Sequence, residues 1–130
     1  LAMLAPTAFG EGNRLFTEFK GALTENYVLQ ALIAQFEAAP RYWSQSNPPY
    51  EVDFLIQRNN DIFPVEIKSE ASTTGKSLKK FKELFSDKVK LRIRFSLDNL
   101  RLDGDVLNVP LFMADHTDRL IGAALERRGS

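Results

Sequence analysis

Apolar positions recur at three- and four-residue intervals through the first third of the chain. Leu15, Phe19, Ala22, Leu23, Leu29, Leu32, Ile33 and Phe36 follow that spacing, so Asn13–Glu37 is expected to be one long helix closed by Pro40. The pattern then shifts towards alternation. Arg41–Ser44 reads as a short strand ended by the turn-rich Ser46-Asn47-Pro48-Pro49. Glu51–Gln57 and Ile62–Lys68 read as two further strands. They are joined through Arg58-Asn59-Asn60-Asp61, where the Asn-Asn pair tolerates the positive φ of a tight hairpin. Ser77 is positioned to cap a second helix over Leu78–Phe85. In Lys88–Phe95 the apolar Val89, Leu91, Ile93 and Phe95 alternate with the basic Lys88, Lys90, Arg92 and Arg94, as in a strand with one buried face. Asp103-Gly104-Asp105 reads as a turn between Leu100–Leu102 and Val106–Phe112, and Thr117–Arg128 as a final short helix.

This order predicts an α/β fold: helix, three strands, helix, strand, then a small C-terminal β extension and helix. A strand–helix–strand connection favours a parallel pair through a right-handed crossover, so the sheet is expected to be mixed and flanked by helices.

Composition narrows the class. With 130 residues, 44% hydrophobic and 26% charged, the chain suits one globular domain. Residues 1–12 are expected to be the leftover of a preceding segment, 13–115 the domain and 116–130 a tail. The start at Leu1 rather than at Met agrees with a piece cut from a longer protein. The absence of cysteine excludes disulfides, thiolate zinc sites and thiol nucleophiles, and it suits a reducing, cytoplasmic location. Leu1–Ala5 falls far short of the roughly 20 apolar residues of a spanning helix, so no membrane association is expected.

Charge adds a second restriction. Lys plus Arg and Asp plus Glu both number 17, so affinity for nucleic acid would need a local patch. One exists between Lys76 and Arg94, where eight basic residues face only Glu83 and Asp87 in the sequence. A row of Lys88, Lys90, Arg92 and Arg94 on one strand face would contact DNA or RNA phosphates in a salt-sensitive, sequence-independent way. The same row would equally protect an edge strand from pairing with other chains.

The hairpin concentrates the chemistry. A turn centred between Asn59 and Asn60 opposes residues whose numbers sum to 119, so Asp53 is expected to face Glu66, and Glu51 to face Lys68. All four would project to one side, with Val52, Phe54, Ile56, Phe63, Val65 and Ile67 on the other. Directly opposed carboxylates repel, and a divalent cation removes the conflict. Carboxylate oxygens and water are the donors that Mg²⁺ or Mn²⁺ accepts, while Lys68 would orient a water or offset charge on a phosphoryl oxygen. A plainer arrangement is open too, with Glu51 and Lys68 as an ordinary cross-strand ion pair and the other acids solvated. Glu25 stands at the apolar margin of the first helix, near Ala22, Val28, Leu29 and Leu32, where a carboxylate either finds a partner or snorkels to water.

Asp53, followed thirteen residues on by Glu66-Ile67-Lys68 after a proline-containing apolar strand, resembles the signature of the PD-(D/E)XK nuclease superfamily. The αβββαβ order is similar to its restriction-endonuclease-like core. A closer likeness covers most of the chain. Gly21–Tyr27, Tyr42-Trp43-Ser44, Glu51–Phe54, Pro64–Lys68, Lys76-Ser77-Leu78 and Asn108–Phe112 before Ala114 resemble the uncharacterised C-terminal domain of bacterial and archaeal AAA-type ATPases. The resemblance implies Asp53, Glu66 and Glu25 as metal ligands, Lys68 as catalytic lysine, and an N-terminal ATPase domain as partner in the full-length chain. Val52 stands where the superfamily's naming proline would be. The expected function is thus a Mg²⁺-dependent nuclease-like domain that cuts or holds nucleic acid. The alternative is a non-catalytic interaction or regulatory domain docking on its ATPase partner.

Other signals fall away. Thr73-Thr74-Gly75-Lys76-Ser77 lacks the first glycine of a phosphate loop, because Glu70 occupies that position, so no ATP site is expected in this chain. His116 is the sole histidine and cannot build a zinc centre without thiolates or a second imidazole. Tyr42 and Trp43 suit a core as well as a base-stacking surface.

Overall fold

The computed structural model describes residues 11–36, 41–46, 49–68 and 76–129. Pro40, the Asn47-Pro48 turn, residues 1–10 and the Thr73–Gly75 loop lie outside them, as do the side chains of Tyr42, Trp43, Glu51 and Ser77. The elements run α1 (Glu11–Gln35), β1 (Arg41–Ser46), β2 (Pro49–Arg58), β3 (Asp61–Ile67), α2 (Lys76–Leu84), β4 (Arg92–Ser96), β5 (Arg101–Asp103) and β6 (Val106–Pro110). A 3-10 helix (Leu111–His116) and α3 (Thr117–Arg127) follow.

The six strands form one mixed sheet in the order β1-β2-β3-β4-β6-β5. The meander β1-β2-β3 is antiparallel, and α2 carries the chain across to β4, which lies parallel to β3. Phe54 pairs with Val65, Ile56 with Phe63 and Arg58 with Asp61, the register expected from a turn centred on Asn59-Asn60. Asn59 takes the positive φ that this turn needs, at 57°.

Apolar alternation builds two cores. One sheet face carries Phe54, Ile56, Phe63, Val65, Ile93 and Phe95, covered by Val28 and Leu32 of α1 and by Ile121 and Ala124 of α3. The other holds a smaller cluster in which Leu78 and Phe81 of α2 meet Val52 and Val89. Phe54, Phe63, Phe81 and Phe95 are among the largest fully buried side chains. Each contributes about 1.5–3 kcal/mol relative to an exposed ring.

Several expectations need correction. Val52 does not share a face with Phe54 and Ile56. Between the pairs Arg41–Leu55 and Trp43–Val52, β1 advances two residues and β2 three, so β2 bulges at Asp53-Phe54 and Val52 turns towards α2. The fourth strand begins at Arg92 rather than Lys88, and Val89 packs with α2 rather than with Leu91 and Ile93. Its neighbour explains why. Ile62 N–H donates to the Lys88 carbonyl at 2.9 Å, but the next donor on that side of β3 falls at Pro64, which has no N–H, and the ladder begins only at Val65 and Ile93. This strand is also central, so in the finished sheet its basic residues protect no edge. The strand expected over Val106–Phe112 ends at Pro110, because its partner β4 ends opposite at Ser96. Finally, α2 starts at Lys76, so Ser77 is already helical and is not the cap, which requires non-helical backbone.

Candidate functional site

The bulge in β2 falls where the antiparallel ladder with β3 stops. Paired residues run from Arg58–Asp61 to Phe54–Val65, one step short of Asp53 and Glu66. There the side chain takes over from the main chain, and the Ile67 N–H donates to the Asp53 carboxylate at 2.8 Å. Asp53 is thereby held against the middle residue of Glu66-Ile67-Lys68. On the opposite side of β3, the Lys68 N–H donates to the Phe95 carbonyl at 2.8 Å, fixing the end of this strand on β4. All three candidate side chains are half-buried.

Glu66 has a cationic neighbour. It pairs across the parallel ladder with Arg94, whose Nε lies 3.3 Å from its carboxylate oxygen. Two further members of the basic row are likewise engaged. Lys90 reaches Asp61 at 3.3 Å, and Arg92 forms a two-pronged pair with Asp105 at 2.9 and 2.7 Å. Lys82 of α2 also donates to Asp105. Burial would raise the Asp105 pKa, but its hydrogen bonds from Arg92 and Lys82 outweigh burial and hold it down at about 2. Lys88 is exposed. The acids that answer these cations come from β3 and from the turn before β6, outside the basic segment.

Glu25 sits on α1, which packs against the apolar sheet face. Among the described residues no three Asp, Glu or His side chains form a group that could hold a metal ion. His116 is exposed just ahead of α3.

One buried polar cluster was not foreseen. Asn108 on β6 accepts from the Ser96 hydroxyl at 2.7 Å and donates to the Asp98 and Asn99 carbonyls at 3.2 and 3.0 Å. It ties the β4–β5 loop to the sheet. A polar residue between Leu107 and Val109 was its only signal.

No helix among the described residues is long and apolar enough to cross a membrane. The model of a protein family described as a domain of unknown function (DUF4143) matches residues 20–112. No curated protein and no solved structure matches the chain.

Proposed function

We propose that this chain, which belongs to the DUF4143 domain family, is the nuclease-like C-terminal domain of an AAA-type ATPase, acting on or holding nucleic acid with a divalent cation. The observation that carries the reading is the hydrogen bond from Ile67 N–H to the Asp53 carboxylate, which joins the lone aspartate to the Glu66-Ile67-Lys68 triplet. The succession of helix, three antiparallel strands, helix and parallel strand supports it, being the order of the PD-(D/E)XK core that the sequence resembles.

The donors suit Mg²⁺ or Mn²⁺. Asp53 and Glu66 offer carboxylate oxygens, and an ion bound by only two carboxylates keeps several waters, as magnesium commonly does. When bound, such an ion polarises a phosphoryl oxygen and lowers the pKa of its water. The chain's own residues do the rest. The Ile67 N–H fixes one Asp53 oxygen, Arg94 restrains Glu66, and Lys68, two residues beyond Glu66, would supply an ammonium to offset negative charge developing on a phosphoryl group.

A Mn²⁺ titration by calorimetry, run beside cleavage assays on single- and double-stranded DNA and RNA, tests this. Asp53→Asn weakens Mn²⁺ binding at least about tenfold by removing a ligand charge. Lys68→Met retains binding and loses cleavage. Wild-type protein that neither binds Mn²⁺ nor cuts any substrate would refute the reading.

The Arg94–Glu66 pair favours a second reading, a non-catalytic domain docking on its ATPase partner, because Arg94 already supplies the cation that Glu66 needs. Arg94→Gln separates the two: it tightens Mn²⁺ binding in a metal site and leaves it absent in a docking domain.

A further inference from the structure

The sheet ends at β5, and beneath that edge lies a groove of about 190 Å³ between β5 and α3. Its floor is apolar. Leu102 and Leu107 come from paired positions of β5 and β6, while Leu120, Ala123 and Ala124 come from one face of α3 at helical spacing. Leu100 stands 44% exposed at the entrance. The groove is remote from Asp53, which sits on β2 at the other end of the sheet.

The rim is basic. Arg101 and Arg127 line the groove from its two walls. Arg127 has no acidic partner among the described residues. Among the described residues Arg101 pairs only with Asp103, and both side chains are about two-thirds exposed, so this pair exchanges readily for a better one. Among the described residues, no strand neighbours the outer main-chain groups of β5.

We infer that the groove binds an extended peptide of alternating aliphatic and acidic residues, which adds to β5 as a further strand. Its main chain pairs with the open edge, one aliphatic side chain seats against Leu102, Leu107 and Leu120, and its carboxylates meet Arg101 and Arg127. The volume suits one or two aliphatic side chains rather than the face of a helix. The two charged residues of a three-residue edge discourage self-pairing, so the partner must bring its own complementary charge. This inference does not depend on metal or nuclease chemistry.

The probe is an acetylated Asp-Leu-Glu-Leu-Asp peptide titrated to about 2 mM into ¹⁵N-labelled protein, followed by amide shifts. Saturable shifts are expected at Leu100–Asp103 and Leu120–Arg127. Arg127→Glu, a surface change, weakens binding at least about fivefold. Ala123→Phe fills the groove and abolishes it, and N-methylation of the peptide's central residue does the same by removing a strand donor. Absence of saturable shifts, equal binding of a Lys-Leu-Lys-Leu-Lys peptide, or undiminished binding to Arg127→Glu would overturn the inference. So would sedimentation showing that a second copy of the chain takes the groove instead.

Discussion

Asp105→Asn removes one charge from the triad that joins α2 and β4 to the turn before β6 while keeping the side chain's shape. In the wild type the Asp105 pKa falls from an ordinary 3.8 to about 2, held there by Arg92 and Lys82 against the opposing effect of burial. At 1.36 kcal/mol per unit, that depression is worth about 2 kcal/mol of folding stability at neutral pH. The Asp105 side chain is only 12% exposed, so solvent screens the triad far less than it would a surface pair. In the variant, Arg92 and Lys82 lose their shared anion, so the loss is at least of that size. For a domain of this length it lowers Tm by about 6–12 °C. The pH dependence gives the sharper test. A carboxylate with a depressed folded pKa stabilises the fold above its unfolded pKa and loses that contribution as pH falls through the folded value. The difference between wild type and variant is therefore full near pH 6–7 and shrinks between about pH 4 and pH 2. Thermal melts of both proteins across that range provide the assay. A gap below about 2 °C at pH 7, or one that stays constant down to pH 2.5, would refute the reasoning.

Two further outcomes are expected. Asn108→Leu leaves the Ser96 hydroxyl and two loop carbonyls without their side-chain partner, and chemical denaturation should show a loss of about 2–4 kcal/mol. Gly104 has φ +58° with open space around the position of a Cβ, so Gly104→Ala should cost about 1 kcal/mol from backbone strain alone, without rearranging its neighbours.

The hairpin register was legible because two local signals agreed: an Asn-Asn turn and apolar residues two apart on each side of it. The parallel placement of β4 against β3 followed from crossover handedness and chain connectivity, and needed no knowledge of packing. The bulge at Asp53-Phe54 left no mark in the alternation, because Val52 and Phe54 are both apolar and either face would bury them. The late start of β4 was encoded in Pro64, on a different strand, and reading it required the sheet order. The basic row looked unbalanced for a similar reason. Asp61, Glu66 and Asp105 pair with three of its four cations from positions outside the Lys76–Arg94 segment, and only tertiary structure brings them into reach. Asp53 and the Glu66–Lys68 triplet were identified by type and spacing, whereas the Arg94 contact to Glu66 depends on a parallel pairing between residues 28 apart.

The interior position of β4 also bears on how the protein is made. A nascent chain that has emerged through Ile67 can close the β1-β2-β3 meander, but the inner edge of β3, beside Phe63 and Val65, stays open until β4 arrives. The chain must grow by about 40 more residues before β6 in turn covers β4, an interval of several seconds at ~5–20 residues per second. An apolar strand edge exposed that long invites pairing with neighbouring nascent chains. Among the residues synthesised during the interval are Lys76, Lys79, Lys80, Lys82, Lys88, Lys90, Arg92 and Arg94. Until Asp105 exists to bind Lys82 and Arg92, this stretch is a tethered cluster of positive charge beside the open edge, and like-charged copies on adjacent ribosomes repel one another. The same cations that later bind the acids of the finished sheet thus serve first as gatekeepers for its unfinished edge.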